Sequence, residues 1–181
     1  MASRGLLTFS LREFAEGVTE RRCSVAAKAL DLEGAGVDFR GPVEVDLRIA
    51  RTREEFHVRG EARVAIGQVC SRCLEPIEMT LRAPVSVLVR PHDSREREGE
   101  EPPDGLLYHD GDVFSVAEEV REMILLEIPS HALCRPDCRG LCPRCGENRN
   151  TGACRCPGDE GGDPRWSALR SLRAHSDEDA G

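Results

Sequence analysis

Aromatic residues are scarce in this chain: five Phe, one Tyr and one Trp account for 4% of 181 residues. A core with so few rings must be largely aliphatic and modest in size. The stacking platforms on which single-stranded RNA readers rest bases are almost missing as well. Trp166 is the sole candidate, and core packing suits it better. Lysine is scarcer still, since Lys28 stands alone among 25 basic residues. A GC-rich coding bias explains that more simply than phosphate recognition by arginine forks. The net charge of −8 argues against a protein that coats nucleic acid non-specifically, without excluding a local basic surface.

Other absences narrow the function. The opening MASRGLLTFSLREF carries Arg4 and then only Gly-Leu-Leu before polar residues return, which is no signal peptide. No stretch approaches a membrane span. A reduced, cytoplasmic setting without a membrane partner is therefore expected. No Ser/His/Asp arrangement, phosphate loop or paired-carboxylate pocket is present, so the expectation is a non-enzyme without a small-molecule substrate. Glu96, Glu98, Glu100 and Glu101 belong to an acidic run, His92–Asp104, that reads as a flexible surface loop. Nothing apolar nearby would raise a carboxylate pKa there. His57 lies on the polar side of a strand with no neighbour at metal-ligand spacing.

Cysteine is what the chain does have. Six of its nine cysteines fall between Leu133 and Cys156, in LCRPDCRGLCPRCGENRNTGACRC. Disulfides need an oxidising compartment, and an odd count would leave one cysteine over. Clustered thiols in a reduced compartment point instead to metal. Cys142-Pro-Arg-Cys145-Gly146 looks like a zinc knuckle, because two thiolates two residues apart reach one ion from a tight turn. Gly146 can take the positive φ that such a turn needs. Eight residues later Cys154-Arg-Cys156 offers a second pair, so Cys142, Cys145, Cys154 and Cys156 form the expected structural Zn²⁺ site. The competing set, Cys134, Cys138, Cys142 and Cys145, squeezes four ligands into twelve residues interrupted by Pro136. A possible second site joins Cys70 and Cys73 to Cys134 and Cys138, leaving Cys23 over; the alternative is that these four are reduced structural thiols. A structural zinc, with an apparent binding free energy of ~10–16 kcal/mol, would rival the whole net stability of a small core.

The remaining pattern is that of an α+β chain. Val43, Val45, Leu47 and Ile49 alternate with polar residues, as do Phe56 to Ile66 and Ile77 to Val89. Three such runs predict an antiparallel β meander, with Pro84 bending the third or placing it at an edge. Cys70-Ser-Arg-Cys73 falls at the turn between the second and third runs. Capping boxes at Ser10–Glu13 and Ser115–Glu118 predict flanking helices, one over 10–16 and one ended by Pro129. Residues 22–32 fit strand or helix equally. Leu106–Tyr108 is a further short strand. Asp163-Pro164 starts a closing helix with Trp166, Leu169 and Leu172 on one face. The expected division is a β-rich domain over 1–130 with its acidic loop at 92–104, a cysteine-rich, zinc-knuckle or ribbon-like module over 131–175, and an acidic tail over 176–181.

Four groups of residues carry a family resemblance: Cys70-Ser-Arg-Cys73-Leu-Glu-Pro76; the helix with Glu118-Glu-Val-Arg-Glu122; Leu133 through Asn148; and Asp163-Pro-Arg-Trp166 with Leu169 and Leu172. Together they make the chain similar to the YceD family, known from bacteria with plastid relatives in plants. Arg149 stands where relatives often carry Leu. The resemblance implies a non-enzymatic factor in large-subunit (23S) rRNA accumulation and ribosome biogenesis. Its partner would be a large-subunit precursor, rRNA, or a ribosomal or assembly protein.

Composition alone supports RNA contact less strongly. Arg135, Arg139, Arg144, Arg149 and Arg155 against Asp137 and Glu147 leave a charge of +3 over residues 134–156. Four thiolates on one Zn²⁺ reduce it to about +1. Arg139, Arg144, Arg149 and Arg155 are the candidate RNA- or partner-binding residues. From another class, a zinc-stabilised interaction adaptor regulating transcription or RNA decay also fits. A thiol oxidoreductase built on Cys70 and Cys73 fits poorly, because the pair runs into a strand instead of opening a helix.

Overall fold

The computed structural model describes residues 7–34, 36–91, 104–109, 111–152 and 154–156. Nearly all of the acidic 92–104 run, the expected closing helix with Trp166, Leu169 and Leu172, and the 176–181 tail lie outside the described residues. Five strands form one sheet in the order β2 (Gly17–Ala26), β3 (Asp38–Thr52), β4 (Glu55–Val69), β5 (Pro76–Pro91) and β6 (Leu106–His109). Strand β1 (Thr8–Ser10) pairs with β7 (Val113–Ser115) as a separate antiparallel ribbon. Among the described residues one α-helix, α1 (Ala117–Leu126), packs on β5. No helix among the described residues is long and apolar enough to cross a membrane.

The alternating runs lie in β3, β4 and β5, and each strand extends beyond its alternating apolar run. Val45, Leu47, Val58, Val64, Val85 and Val87 share the buried face with their alternating neighbours, as period-two geometry requires. Val120 and Ile124 of α1 complete that core. The few aromatics are concentrated within it: Phe56 lies 5.4 Å from Phe114 and 6.0 Å from Phe14, centroid to centroid, and Phe9 joins the same group. The opposite face is a charged ladder in which Asp46 pairs with Arg22 and Arg63, and Glu61 with Arg63 and Arg82. Such exposed pairs contribute little each.

Three expectations are corrected. The helix over 10–16 is only a single 3₁₀ turn, Leu11–Glu13, and the Ser10 side chain makes no capping bond. Phe9 and Phe14 are both drawn into the aromatic group, and Phe9 also pairs with Phe114 in the ribbon. Tertiary packing outweighs the cap. The sheet is not wholly antiparallel, since β6 lies parallel to β5, with Leu88 opposite Leu106. Among the described residues no strand pairs with β5 at Pro84 on the side away from β4, since β6 meets β5 only over Leu88–Pro91. Helix α1 has Val116 at its N-cap, one residue later than expected; Ser115 ends β7, and its hydroxyl still accepts the Ala117 N–H at 3.4 Å. The stretch 22–32 divides: strand to Ala26, then one 3₁₀ turn over Ala27–Leu30.

Candidate metal centre

The β4–β5 hairpin ends with Val69 opposite Pro76, and its six-residue connection is Cys70-Ser-Arg-Cys-Leu-Glu75. Inside it the Cys70 N–H donates to the Glu75 carbonyl at 2.8 Å and the Leu74 N–H to the Cys70 carbonyl at 2.9 Å. The turn at 142–147 repeats both bonds: Cys142 N–H to Glu147 O at 2.8 Å, and Gly146 N–H to Cys142 O at 2.9 Å. Its frame is the isolated bridge between Leu141 and Asn148. The two turns share the pattern Cys-x-Arg-Cys-x-Glu. That repeat is visible in the sequence only when the turns are aligned with one another.

Each turn meets a second cysteine pair. The sulfurs of Cys70, Cys73, Cys134 and Cys138 all lie within 4.8 Å of one another, and so do those of Cys142, Cys145, Cys154 and Cys156. Cys134 and Cys138 thus group with the hairpin turn and not with Cys142 and Cys145. Cys23 sits apart on β2, packed against the core, where burial pushes its thiol pKa up. All nine cysteines are free thiols.

The sulfur spacing decides what the clusters can do. A metal–thiolate bond of about 2.3 Å in a tetrahedral site sets an edge of about 3.8 Å between sulfurs. Cys70 and Cys138 are 3.8 Å apart, Cys73 and Cys134 3.6 Å, and Cys145 and Cys154 3.7 Å. Two four-thiol clusters of this size could each hold a metal ion.

Backbone donors prepare both. The N–H groups of Cys73, Cys134 and Arg72 point at Cys70 Sγ and bring its pKa down to about 6. The N–H groups of Cys145 and Arg144 do the same for Cys142, also to about 6. Within each cluster another thiol resists ionisation. Cys134 is pushed up to about 12, chiefly by burial and then by its thiol neighbours. Cys156 is pushed up to about 12 by Cys145 and then by burial. One thiolate beside three close sulfurs opposes the next, and a bound cation would remove that opposition.

The clusters differ in setting. Cys70, Cys73 and Cys138 are buried, with Ile77 and Leu141 packed around them. In the other cluster only Cys142 is buried and Cys145 is exposed. The stretch between them is bonded to the hairpin: Leu141 N–H donates to Arg72 O at 3.0 Å, Ser71 N–H to Ala132 O at 2.8 Å, and the Arg72 guanidinium to Cys138 O at 3.0 Å. Asn148 and Asn150, which the sequence did not single out, make most of the remaining bonds. Arg139, Arg144, Arg149 and Arg155 are exposed. None of the four forms an ion pair among the described residues, whereas Arg135 lies 3.5 Å from Asp137.

Comparison with known proteins places this arrangement. Residues 58–173, from within β4 through both cysteine clusters, match the model of a family described as "Large ribosomal RNA subunit accumulation protein YceD". The chain belongs to the YceD family. The YceD match covers the hairpin turn and the 134–156 segment together, so both clusters lie inside it. Among YceD relatives, a maize chloroplastic protein named as large ribosomal RNA subunit accumulation protein YCED homolog 1 is 30% identical over 156 residues, 69% of this chain and 52% of its own length. An Arabidopsis thaliana protein of the same name is 26% identical over 165 residues, 77% of this chain and 51% of its own. An uncharacterized Mycobacterium tuberculosis protein is 30% identical over 143 residues, 77% of this chain and 66% of its own. The chain thus spans about half the length of the plant relatives. No solved structure matches it.

Proposed function

We propose that this chain is a non-enzymatic, cytoplasmic factor that supports accumulation of large-subunit (23S) rRNA during ribosome biogenesis. The family match over residues 58–173 carries the reading. In this reading the chain binds a large-subunit precursor, through rRNA or through a ribosomal or assembly protein. It holds two structural Zn²⁺ ions, one on Cys70, Cys73, Cys134 and Cys138 and one on Cys142, Cys145, Cys154 and Cys156. All-thiolate, four-donor sets at tetrahedral spacing suit Zn²⁺ in a reducing compartment. The ions fix the 134–156 segment, which has little other core, and so present Arg139, Arg144, Arg149 and Arg155 in fixed positions.

Elemental analysis and native mass spectrometry of reduced protein should give two zinc ions per chain, and one after Cys154→Ser or Cys156→Ser. One ion in the unaltered chain would remove one of the two sites, and none would remove the zinc reading. Sedimentation of cell extracts through a sucrose gradient tests the partner. The chain should travel with large-subunit precursors and leave them as salt rises, because phosphate contacts weaken with salt. Replacing one of the four arginines should weaken the association modestly, and metal loss should weaken it more, because the segment would unfold. An adaptor regulating transcription or RNA decay through protein contacts would stay in ribosome-free fractions at every salt concentration.

A further inference from the structure

Asn150 lies between Cys145 and Cys154 in sequence, so it rides on the loop that joins the two halves of the 142–156 cluster. Its side chain nevertheless serves the other cluster. The Asn150 Oδ1 accepts from the Arg139 backbone N–H at 2.8 Å and from the Arg135 guanidinium at 2.9 Å. Both partners can only donate there, so the amide orientation is fixed and the NH₂ group faces the other way. Its two hydrogens go to Asn148 Oδ1 at 2.8 Å and to Cys138 Sγ at 3.3 Å. All four bonding positions of the amide are therefore used. Asn148 is held in turn, donating to Glu75 Oε1 of the hairpin turn at 3.4 Å and accepting the Asn150 backbone N–H at 3.0 Å.

A donor aimed at a thiolate orients that ligand and lowers the charge it carries into the cluster. The loop that supplies this donor is closed at both ends by cysteines of the second cluster. We propose that Asn150 is a positioning residue for the Cys70, Cys73, Cys134 and Cys138 cluster, and that through it the two clusters hold their ions cooperatively. This inference rests on the metal reading above. An ion bound by Cys145 and Cys154 fixes the loop that presents Asn150 to Cys138. By linkage, an ion on Cys138 favours the loop arrangement that the second cluster needs.

Asn150→Asp separates orientation from scaffolding. The aspartate keeps the acceptor that meets Arg139 and Arg135 but sets a charged carboxylate oxygen where the donor to Cys138 and Asn148 stood. Asn150→Ala, which removes the donor without adding charge, is therefore run beside it and should expose the same four cysteines. The zinc-loaded full chain is titrated with a chelator, and cysteines that become reactive are alkylated and mapped by peptide mass. Asn150→Asp should expose Cys70, Cys73, Cys134 and Cys138 at a chelator concentration roughly 10- to 100-fold lower than in the unaltered chain. The double variant Cys154→Ser, Cys156→Ser should loosen the same four, although it touches none of them. In protein loaded with Co²⁺, Asn150→Asp should move the sulfur-to-metal charge-transfer band to lower energy, since an unbonded thiolate gives up its electron more readily. A general loss of packing would not by itself produce that shift. Unchanged protection of the four cysteines in Asn150→Asp would overturn the positioning role, and unchanged protection in the double variant would overturn the cooperativity. An unaltered chain that takes up no zinc would instead remove the metal reading on which both depend.

Discussion

Leu74 and Gly146 occupy equivalent places in the two cysteine turns, each donating its N–H to the carbonyl of the cysteine four residues earlier. Their φ angles are +60° and +75°. Glycine reaches this left-handed region freely, whereas a side chain there costs about 1–2 kcal/mol. The hairpin turn tolerates leucine because β4 and β5 hold its two ends; among the described residues the second turn is framed by the single bridge between Leu141 and Asn148 and the Leu141 N–H bond to Arg72 O.

The equivalence predicts unequal responses. Gly146→Leu should lower the stability of the zinc-loaded chain by about 1–2 kcal/mol, read as a fall in thermal midpoint. Leu74→Gly should change it by less than about 0.5 kcal/mol, because relieved strain is offset by the greater freedom of glycine in the unfolded chain. Leu74 is 60% exposed and gives up little packing. A large loss from Leu74→Gly would show that the two turns are not equivalent.

Gly60 faces Leu47 in the middle of the sheet, and a Cβ there would overlap the Asp46 carbonyl oxygen. Backbone on both strands would have to move, so Gly60→Ala should cost about 3 kcal/mol, the upper part of the range for overpacking. Gly67→Ala is the control. The nearest atoms to its Cβ belong to the tip of the Arg40 side chain, at 3.0 Å, which can give way at the cost of its exposed pairs with Asp38 and Glu78. Urea unfolding of the two variants should separate them clearly.

Glu119 on α1 has a carboxyl pKa above its ordinary value, first because of burial and then because of Glu122 and Glu118 on the same helix. Its Oε2 has no hydrogen-bond partner among the described residues, and Asp104 lines the same groove. With the folded pKa above the unfolded one, the native state gains from protonation. That contribution is fully present below the unfolded pKa and is lost as pH rises through the folded one. Glu119→Gln should therefore raise the thermal midpoint at pH 7, with the gain shrinking toward about pH 4, where both side chains are neutral. A gain that stayed constant with pH would mean that charge is not the cause.

The meander was legible because β3, β4 and β5 each bury one face, and alternation writes that directly into the residues. The parallel docking of β6 was not, since the pairing of Leu106 with Leu88 depends on where a long connection returns. At Ser10–Glu13 the local capping pattern was real, but Phe9 and Phe14 are claimed by partners distant in sequence. Cysteine spacing showed the turn pairs, because two residues between thiols is a local constraint. The contact of Asn150 with Cys138 spans twelve residues of irregular chain and has no periodic signature.

The most direct test of the account is the ratio of mature large-subunit to small-subunit RNA in cells depleted of this protein. The ratio should fall on depletion, return when the unaltered chain is supplied, and not return when Cys70, Cys73, Cys142 and Cys145 are all replaced by Ser. A ratio that stays normal on depletion would contradict it.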